Sequence, residues 1–263
     1  MFIFSKKNFL TLPTIFLISL LILSGCEKQT KSPEDMKAEE LKKNALAFIE
    51  QKNSEDAIEH LEKLVVQYPE DSEISRYKLL LADEYLNDGK LESAHQMYNN
   101  FKDFYPADEK TEYATYKSIL AKFYQTLKID CDQTNTQETI KLCKNYLNTP
   151  FMSEYKNDVI DIKNTCQQKL IDKEVYVYDY YLKRKKFDAT NKRLKYLRNT
   201  FLNENPILEA RLLYLEAKLA DRKKDKDLVA EKLENLINKY PESQFTKMAK
   251  GLMTKEEKPF KIF

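Results

Sequence analysis

Four cysteines and two histidines are the side chains of this 263-residue sequence best suited to covalent, redox or metal chemistry. Thiols of an exported chain can be acylated, can pair as disulfides or, beside imidazole, can hold zinc. Cys131, Cys143 and Cys166 form no CxxC pair and have no histidine near them in sequence, so no metal site is assigned. Three readings of them stand: a bridge from Cys131 to Cys143, a bridge from Cys143 to Cys166, or buried free thiols acting as small apolar residues. His60 and His95 each fall beside apolar positions of an amphipathic stretch, where packing or solvation explains them better than acid–base work. The glycines stand at 25, 89 and 251 only, too few for a phosphate-cradling loop or for the hairpin turns of a sheet-rich fold. No glutamate sits in a Gly/Ser-containing cleft motif. The sequence therefore reads as all-α and non-enzymatic, with no catalytic residue, no metal and no cofactor.

The remaining cysteine has a different setting. Lys6 and Lys7 precede an uncharged apolar run from Phe9 to Leu23, closed by Leu23-Ser24-Gly25-Cys26. A helix of that run spans about 22 Å, short of the roughly 30 Å hydrocarbon core, and so suits a secretory leader better than a membrane span. The small residues at 24 and 25 let a peptidase approach the backbone. This ending resembles a bacterial lipobox, which implies removal of residues 1–25 and acylation of the Cys26 thiol. Two or more acyl chains (palmitate among them) give lasting membrane attachment. Glu27 follows instead of Asp, which by resemblance to known sorting rules points to the outer membrane. The sequence has 44 Lys+Arg against 42 Asp+Glu, and loss of Lys6 and Lys7 with the leader leaves a formally neutral chain. No global field then favours nucleic acid as a partner. Residues 27–36 are polar and aperiodic and read as a flexible tether.

Beyond the tether the chain repeats. Tyr68-Pro69, Tyr105-Pro106 and Tyr240-Pro241 each close an apolar-periodic stretch. Twelve and twenty-four residues before each proline stand Ala57 and Ala45, Ala94 and Ala82, and Val229 and Ala217. Four residues after the second small one come Leu61, Tyr98 and Leu233; seven after, Leu64, Phe101 and Leu236. Such a unit is a pair of helices whose facing small residues let the backbones approach while larger side chains interlock around them. Proline ends the second helix and reverses the chain. Asn87-Asp88-Gly89-Lys90 supplies the turn of the second unit, with Gly89 able to take a positive φ. In the first unit Gln51-Lys52-Asn53-Ser54 does so, with Ser54 as N-cap. A third unit runs from Glu112 to Pro150 with an insertion at Ile129 to Gln137. In a fourth, Val177, Tyr180, Ala189, Arg193 and Tyr196 fall in register, and Phe201 replaces the proline.

The pattern resembles the tetratricopeptide repeat, with Leu41, Lys78 and Leu213 in place of its first Trp. The resemblance implies about five helical-hairpin repeats stacked into a right-handed superhelix with a concave groove. Groove positions fall at Leu46 and Ile49, Leu79 and Leu86, and Tyr116, with Arg76 and Asp83 beside them. Two readings of these leucines are equally weighted: anchors for an extended peptide, or packing against a neighbouring repeat. The boundaries drawn are 1–25 leader, 26–37 tether, 38–150 repeats one to three, 151–250 repeats four and five, and 251–263 tail.

A narrower resemblance lies in Glu174-Val175-Tyr176-Val177-Tyr178-Asp179-Tyr180-Tyr181-Leu182-Lys183-Arg184, followed by Phe187-Asp188-Ala189 and Arg193, and led into by Pro150, Ser153-Glu154-Tyr155 and Asp158. With the lipobox and the repeats, it is similar to the BamD family of outer-membrane β-barrel assembly lipoproteins. That likeness implies a non-enzymatic scaffold on the periplasmic side of the outer membrane, held by its lipid anchor. Its N-terminal repeats would receive unfolded barrel precursors at the groove residues. Its C-terminal repeats would dock the POTRA domains of a BamA-like barrel insertase, with Arg193, Glu174 and Tyr180 at the contact. The second reading is another periplasmic repeat lipoprotein serving cell-envelope or cell-division partners. Two basic runs, Lys183-Arg184-Lys185-Lys186 and Arg222-Lys223-Lys224, either touch anionic headgroups or an acidic partner, or serve helix C-termini.

Overall fold

A residue before proline is pushed out of the helical region, and that one restriction sets the frame of the structure, a computed structural model describing residues 32–249. The leader, Cys26 and the tail lie outside the described residues. Ten α-helices follow in order: α1 (Ala38–Glu50), α2 (Ser54–Gln67), α3 (Ile74–Asn87), α4 (Leu91–Phe104), α5 (Thr111–Tyr124), α6 (Thr134–Leu147), α7 (Lys156–Lys183), α8 (Phe187–Phe201), α9 (Leu208–Lys223) and α10 (Lys226–Lys239). Among the described residues there is no strand. Each helix packs on the one before and the one after it, so five hairpins stack as a helical-repeat solenoid. No described helix is long and apolar enough to cross a membrane.

The three Tyr-Pro turns are copies of one another. Tyr68, Tyr105 and Tyr240 adopt φ/ψ of −126/57°, −126/57° and −134/57°. Each tyrosine N–H still donates to its helix, to the carbonyl of Leu64, Phe101 or Leu236, and each tyrosine carbonyl accepts from the third residue on, Asp71, Asp108 or Ser243. That residue's side chain then accepts from a backbone N–H leading into the next helical segment, at 2.9 Å for Asp71, 2.8 Å for Asp108 and 3.2 Å for Ser243. The dipeptide and the Asp or Ser two residues after its proline therefore write both the stop of one helix and the entry to the next.

The facing small residues lie where the counting places them: Ala45, Ala57, Ala82, Ala94 and Ala217 have no exposed surface. The third hairpin carries the frame as Ala121 with Thr139, followed by Cys143 and Tyr146 in the places of Leu61 and Leu64, all buried. Its extra residues lie in the 125–133 connection, so Thr134 to Gln137 belong to α6 and not to the insertion.

The fourth hairpin corrects the sequence register by one residue. Its buried face is Tyr178, Thr190, Leu194 and Leu197, whereas Tyr180 and Tyr196 are exposed. Phe201 is not a substitute for the proline: it fills the last core, and the turn is made by Asn205-Pro206, with the Asn205 carbonyl accepting from Leu208 N–H. Counting back from Phe201 displaced the frame by one because the position twelve residues after the buried Thr190 is Leu202, and the turn itself comes later, at Asn205-Pro206.

Three further expectations change. Asn53, not Ser54, caps α2, accepting from Asp56 N–H, while the Ser54 hydroxyl crosses to Glu84 on α3 at 2.6 Å. Residues 34–36, assigned to the tether, are held against the first hairpin: Met36 is buried, Tyr68 donates to the Met36 carbonyl and Lys63 pairs with Glu34 at 2.7 Å. The division at 150/151 falls inside one core. Val159, Ile162 and Cys166 of α7 pack with Cys143 and Tyr146 of α6, while Ile171, Val175, Tyr178 and Leu182 of the same helix belong to the last core.

Candidate functional site

Of the N-terminal groove residues, Leu79 lines a cleft, and Leu46, Ile49, Leu86 and Tyr116 do not line it. The cleft, of about 500 Å³, opens between α3 and the turn joining α4 to α5, lined by Arg76, Leu79, Leu80, Asp83, Phe101 and Lys110. Leu79 and Leu86 are half-buried against the core of the second hairpin, and Ile49 against that of the first. Leu46 is half-buried on α1. Tyr116 is committed on one face, stacked on Tyr155 with ring centroids 4.4 Å apart. Asp83 is no free rim charge: its Oδ1 accepts from Tyr98 at 2.6 Å and Tyr113 at 2.8 Å, binding α3, α4 and α5 together. Burial pushes its carboxyl above the ordinary aspartate value, although the two hydroxyls act in the opposite direction. Leu79, Leu80 and Phe101 make the cleft apolar at its base, and its mouth carries both signs of charge: Arg76 pairs with Glu73 at 3.0 Å, Lys110 pairs with Glu109 at 3.7 Å, and Asp108 and Glu109 line the same lip.

His95 is a half-buried link between α4 and α5. Its Nδ1 lies 3.0 Å from the Ser118 carbonyl, and Asn99 Nδ2 lies 3.1 Å from its Nε2. The carbonyl needs a donor and the amide an acceptor, so the ring is neutral with its proton on Nδ1. Burial, offset in part by the Ser118 bond, lowers its pKa; Lys122, paired with Glu92 at 3.2 Å and Glu138 at 3.5 Å, lowers it further. A depressed histidine contributes stability above its unfolded pKa, near 6.5, and that contribution is lost as pH falls through the lower folded value. Protonation also turns Nε2 into a donor facing a donor, at a cost of about 1 kcal/mol. Urea midpoints should therefore fall between pH 7.5 and pH 5.5 by more in the native chain than in His95→Gln; parallel profiles would refute this placement of the proton.

In the C-terminal half Arg193 Nη1 pairs with Glu174 Oε2 at 3.2 Å, joining α8 to α7, and Arg193 Nε is buried without a hydrogen bond. Two of the residues singled out for a partner thus meet each other. Tyr180 is 46% exposed and carries the Arg184 guanidinium 3.7 Å from its ring centroid.

Sequence reasoning missed two concavities that gather around the middle of α7. One of about 760 Å³ runs from Ile129 past Gln168 and Asp172 to Ile207; the next, about 610 Å³, is walled by Leu127, Ile129, Lys169 and Tyr176. The long 125–133 connection was the only available signal: it lies against α7, where Lys169 Nζ reaches Thr126 Oγ1 at 2.7 Å.

The three described cysteines are free thiols. Burial raises Cys143 to about 12 and Cys166 to about 11, so both stay protonated and act as core residues. Among the described residues no cluster of His, Cys, Asp or Glu is arranged to hold a metal ion.

A family model described as YfiO, outer membrane lipoprotein, matches residues 34–227. No curated protein matches the sequence. Solved structures similar to it include pilF of Pseudomonas aeruginosa, at 14% identity over 82% of each chain with a TM-score of 0.32. A tetratricopeptide repeat protein from Parabacteroides merdae is 13% identical over 82% of this chain and 98% of its own, with a TM-score of 0.27. Acl4, an assembly chaperone of RpL4, is 10% identical over 84% and 98%, also with a TM-score of 0.27. Overlaps this partial say nothing of what this chain does.

Proposed function

The chain belongs to the YfiO (BamD) family of outer membrane lipoproteins, and on that premise we propose that it is a non-enzymatic scaffold of the β-barrel assembly machinery, on the periplasmic face of the outer membrane. Acylation of Cys26 moors it there. The cleft beside Leu79 receives extended apolar segments of unfolded barrel precursors, held by contact with Leu79, Leu80 and Phe101 at its base. The fourth hairpin docks a POTRA-bearing, BamA-like insertase. There Glu174 steadies the Arg193 guanidinium, whose Nε makes no bond among the described residues, beside the exposed Tyr180.

The observation that carries this reading is the family match over residues 34–227, a span that contains every groove residue and the Glu174–Arg193 pair. Depleting the chain should lower the outer membrane's content of folded barrels several-fold, read by heat-modifiable mobility of total outer-membrane protein. Barrel levels unchanged after complete depletion would refute it. Recovery of peptidoglycan or Tol-type proteins in place of a POTRA-bearing barrel from solubilised membranes would favour an envelope or cell-division role instead.

A further inference from the structure

The turns joining the two helices of the first, second, fourth and fifth hairpins occupy equivalent places in the solenoid and share a backbone signature. Lys52, Gly89, Lys185 and Lys224 take the left-handed conformation, with φ of 57°, 74°, 58° and 63°. Their surroundings differ sharply. The first two turns carry a lone cation each, Lys52 and Lys90, the latter paired with Asp88 at 3.0 Å. The turn from α7 to α8 is Lys183-Arg184-Lys185-Lys186, all exposed. The turn from α9 to α10 adds Arg222, Lys223, Lys224 and Lys226, also exposed. The two turns adjoin, since Lys223 Nζ stands 5.8 Å from the ring centroid of Phe187 at the start of α8. None of these cations makes an ion pair among the described residues.

Helix ends do not account for them. In a hairpin turn the negative C-terminus of one helix lies beside the positive N-terminus of the next, and the two partial charges largely cancel. The carboxylates present, Asp188, Asp221, Asp225 and Asp227, are half as numerous and partly engaged: Asp188 and Asp227 sit in first turns of helices and Asp225 accepts from Leu228 N–H at 3.1 Å. Like charges crowded on one edge of a chain whose charge is otherwise balanced repel one another unless an anion meets them. Most are lysines, hydrated point charges suited to a field of phosphates rather than to bidentate recognition of a shaped acidic segment.

We propose that the edge formed by the α7–α8 and α9–α10 turns binds anionic lipid headgroups, giving the C-terminal repeats a second attachment to the bilayer. This rests on membership of an outer membrane lipoprotein family and not on any role in barrel assembly. The test uses the membrane-extracted protein reconstituted into vesicles of phosphatidylcholine with or without phosphatidylglycerol and digested briefly with trypsin. Cleavage at 183–186 and 222–226 should slow about tenfold with phosphatidylglycerol, cleavage at Lys52 should not change, and about 1 M salt should abolish the difference. The combined variant Lys183→Gln, Lys186→Gln and Lys223→Gln should restore fast cleavage at Lys224. Equal cleavage in both vesicles overturns the proposal, as does equal protection of Lys52. Protection by polyglutamate without protection by phosphatidylglycerol overturns it in favour of an acidic protein partner.

Discussion

Asp83→Leu is expected to cost the fold about 2–4 kcal/mol, whereas Asp83→Asn should cost less than about 1. The difference lies in what each leaves behind. Tyr98 has no exposed surface and its hydroxyl donates only to Asp83 Oδ1, so leucine strands a buried donor; Tyr113 is half-buried and recovers water more easily. Asparagine keeps the accepting oxygen and turns its amide towards the cleft that Asp83 lines. The same pair reports on charge. Burial raises the folded pKa of Asp83 above the ordinary aspartate value, so the protonated form is the one the fold prefers. The stability this confers is fully present below the unfolded pKa, near 3.9, and is lost as pH rises through the folded value. Relative to Asp83→Asn, the native chain should therefore gain stability as pH drops from 7 towards 4. Taking the difference between the two proteins removes the opposing contribution of His95, common to both. Denaturant midpoints that shift in parallel over that range would overturn the account.

The residues that let the fold be read from sequence are those whose role is local. Tyr-Pro fixes ψ of the tyrosine, and small residues at twelve-residue spacing mark where two backbones approach, so the frame of the first, second and fifth hairpins was legible, although the cap of α2 falls at Asn53 and Val229 is half-buried. The fourth failed for a local reason as well. Thr190 does the work of alanine, Tyr178 replaces the facing small residue and the proline sits at 206, so no single position announced the frame. Tyr178 is accommodated because its hydroxyl finds the Leu215 carbonyl at 2.6 Å, a partner supplied by α9, thirty-seven residues away. The candidate site was legible only in part. Leu79 could be placed at a cleft from repeat spacing, but whether Asp83 is a free charge depends on two tyrosines from other helices, which spacing does not reveal. The cavities along α7 depend on how an irregular connection drapes over a helix, and composition carries no signal for that.

Lys169→Pro should divide the molecule's unfolding into two transitions. At 28 residues, α7 is twice the length of most of its neighbours, about 42 Å of continuous helix. Its first part completes the α5–α6 core through Val159, Ile162 and Cys166; its last part anchors the α8–α10 core through Ile171, Val175, Tyr178 and Leu182. The residues between carry two polar contacts, Gln167 to Glu204 at 2.5 Å and Lys169 to Thr126 at 2.7 Å, and one apolar one, Leu170 half-buried against the last core. In a solenoid, cooperativity passes only between neighbours, so this stretch of backbone is what makes the two cores melt together. Proline there removes one helical hydrogen bond and clashes with the carbonyl of Thr165, at a cost of about 3 kcal/mol borne at the junction rather than in either core. The control Lys169→Ala gives up only an exposed-side contact and should keep one transition, within about 1 kcal/mol of the native chain. Tyrosine fluorescence and hydrogen exchange read together decide the matter, since the first reports both cores and the second assigns each transition to residues 38–166 or 171–249. A single transition in the proline variant would mean that the hairpins couple by some route other than α7. If the transitions separate, the same variant should uncouple the Leu79 cleft from the Arg193 face. On the scaffold reading, it would then bind precursor segments normally and still fail to pass them on.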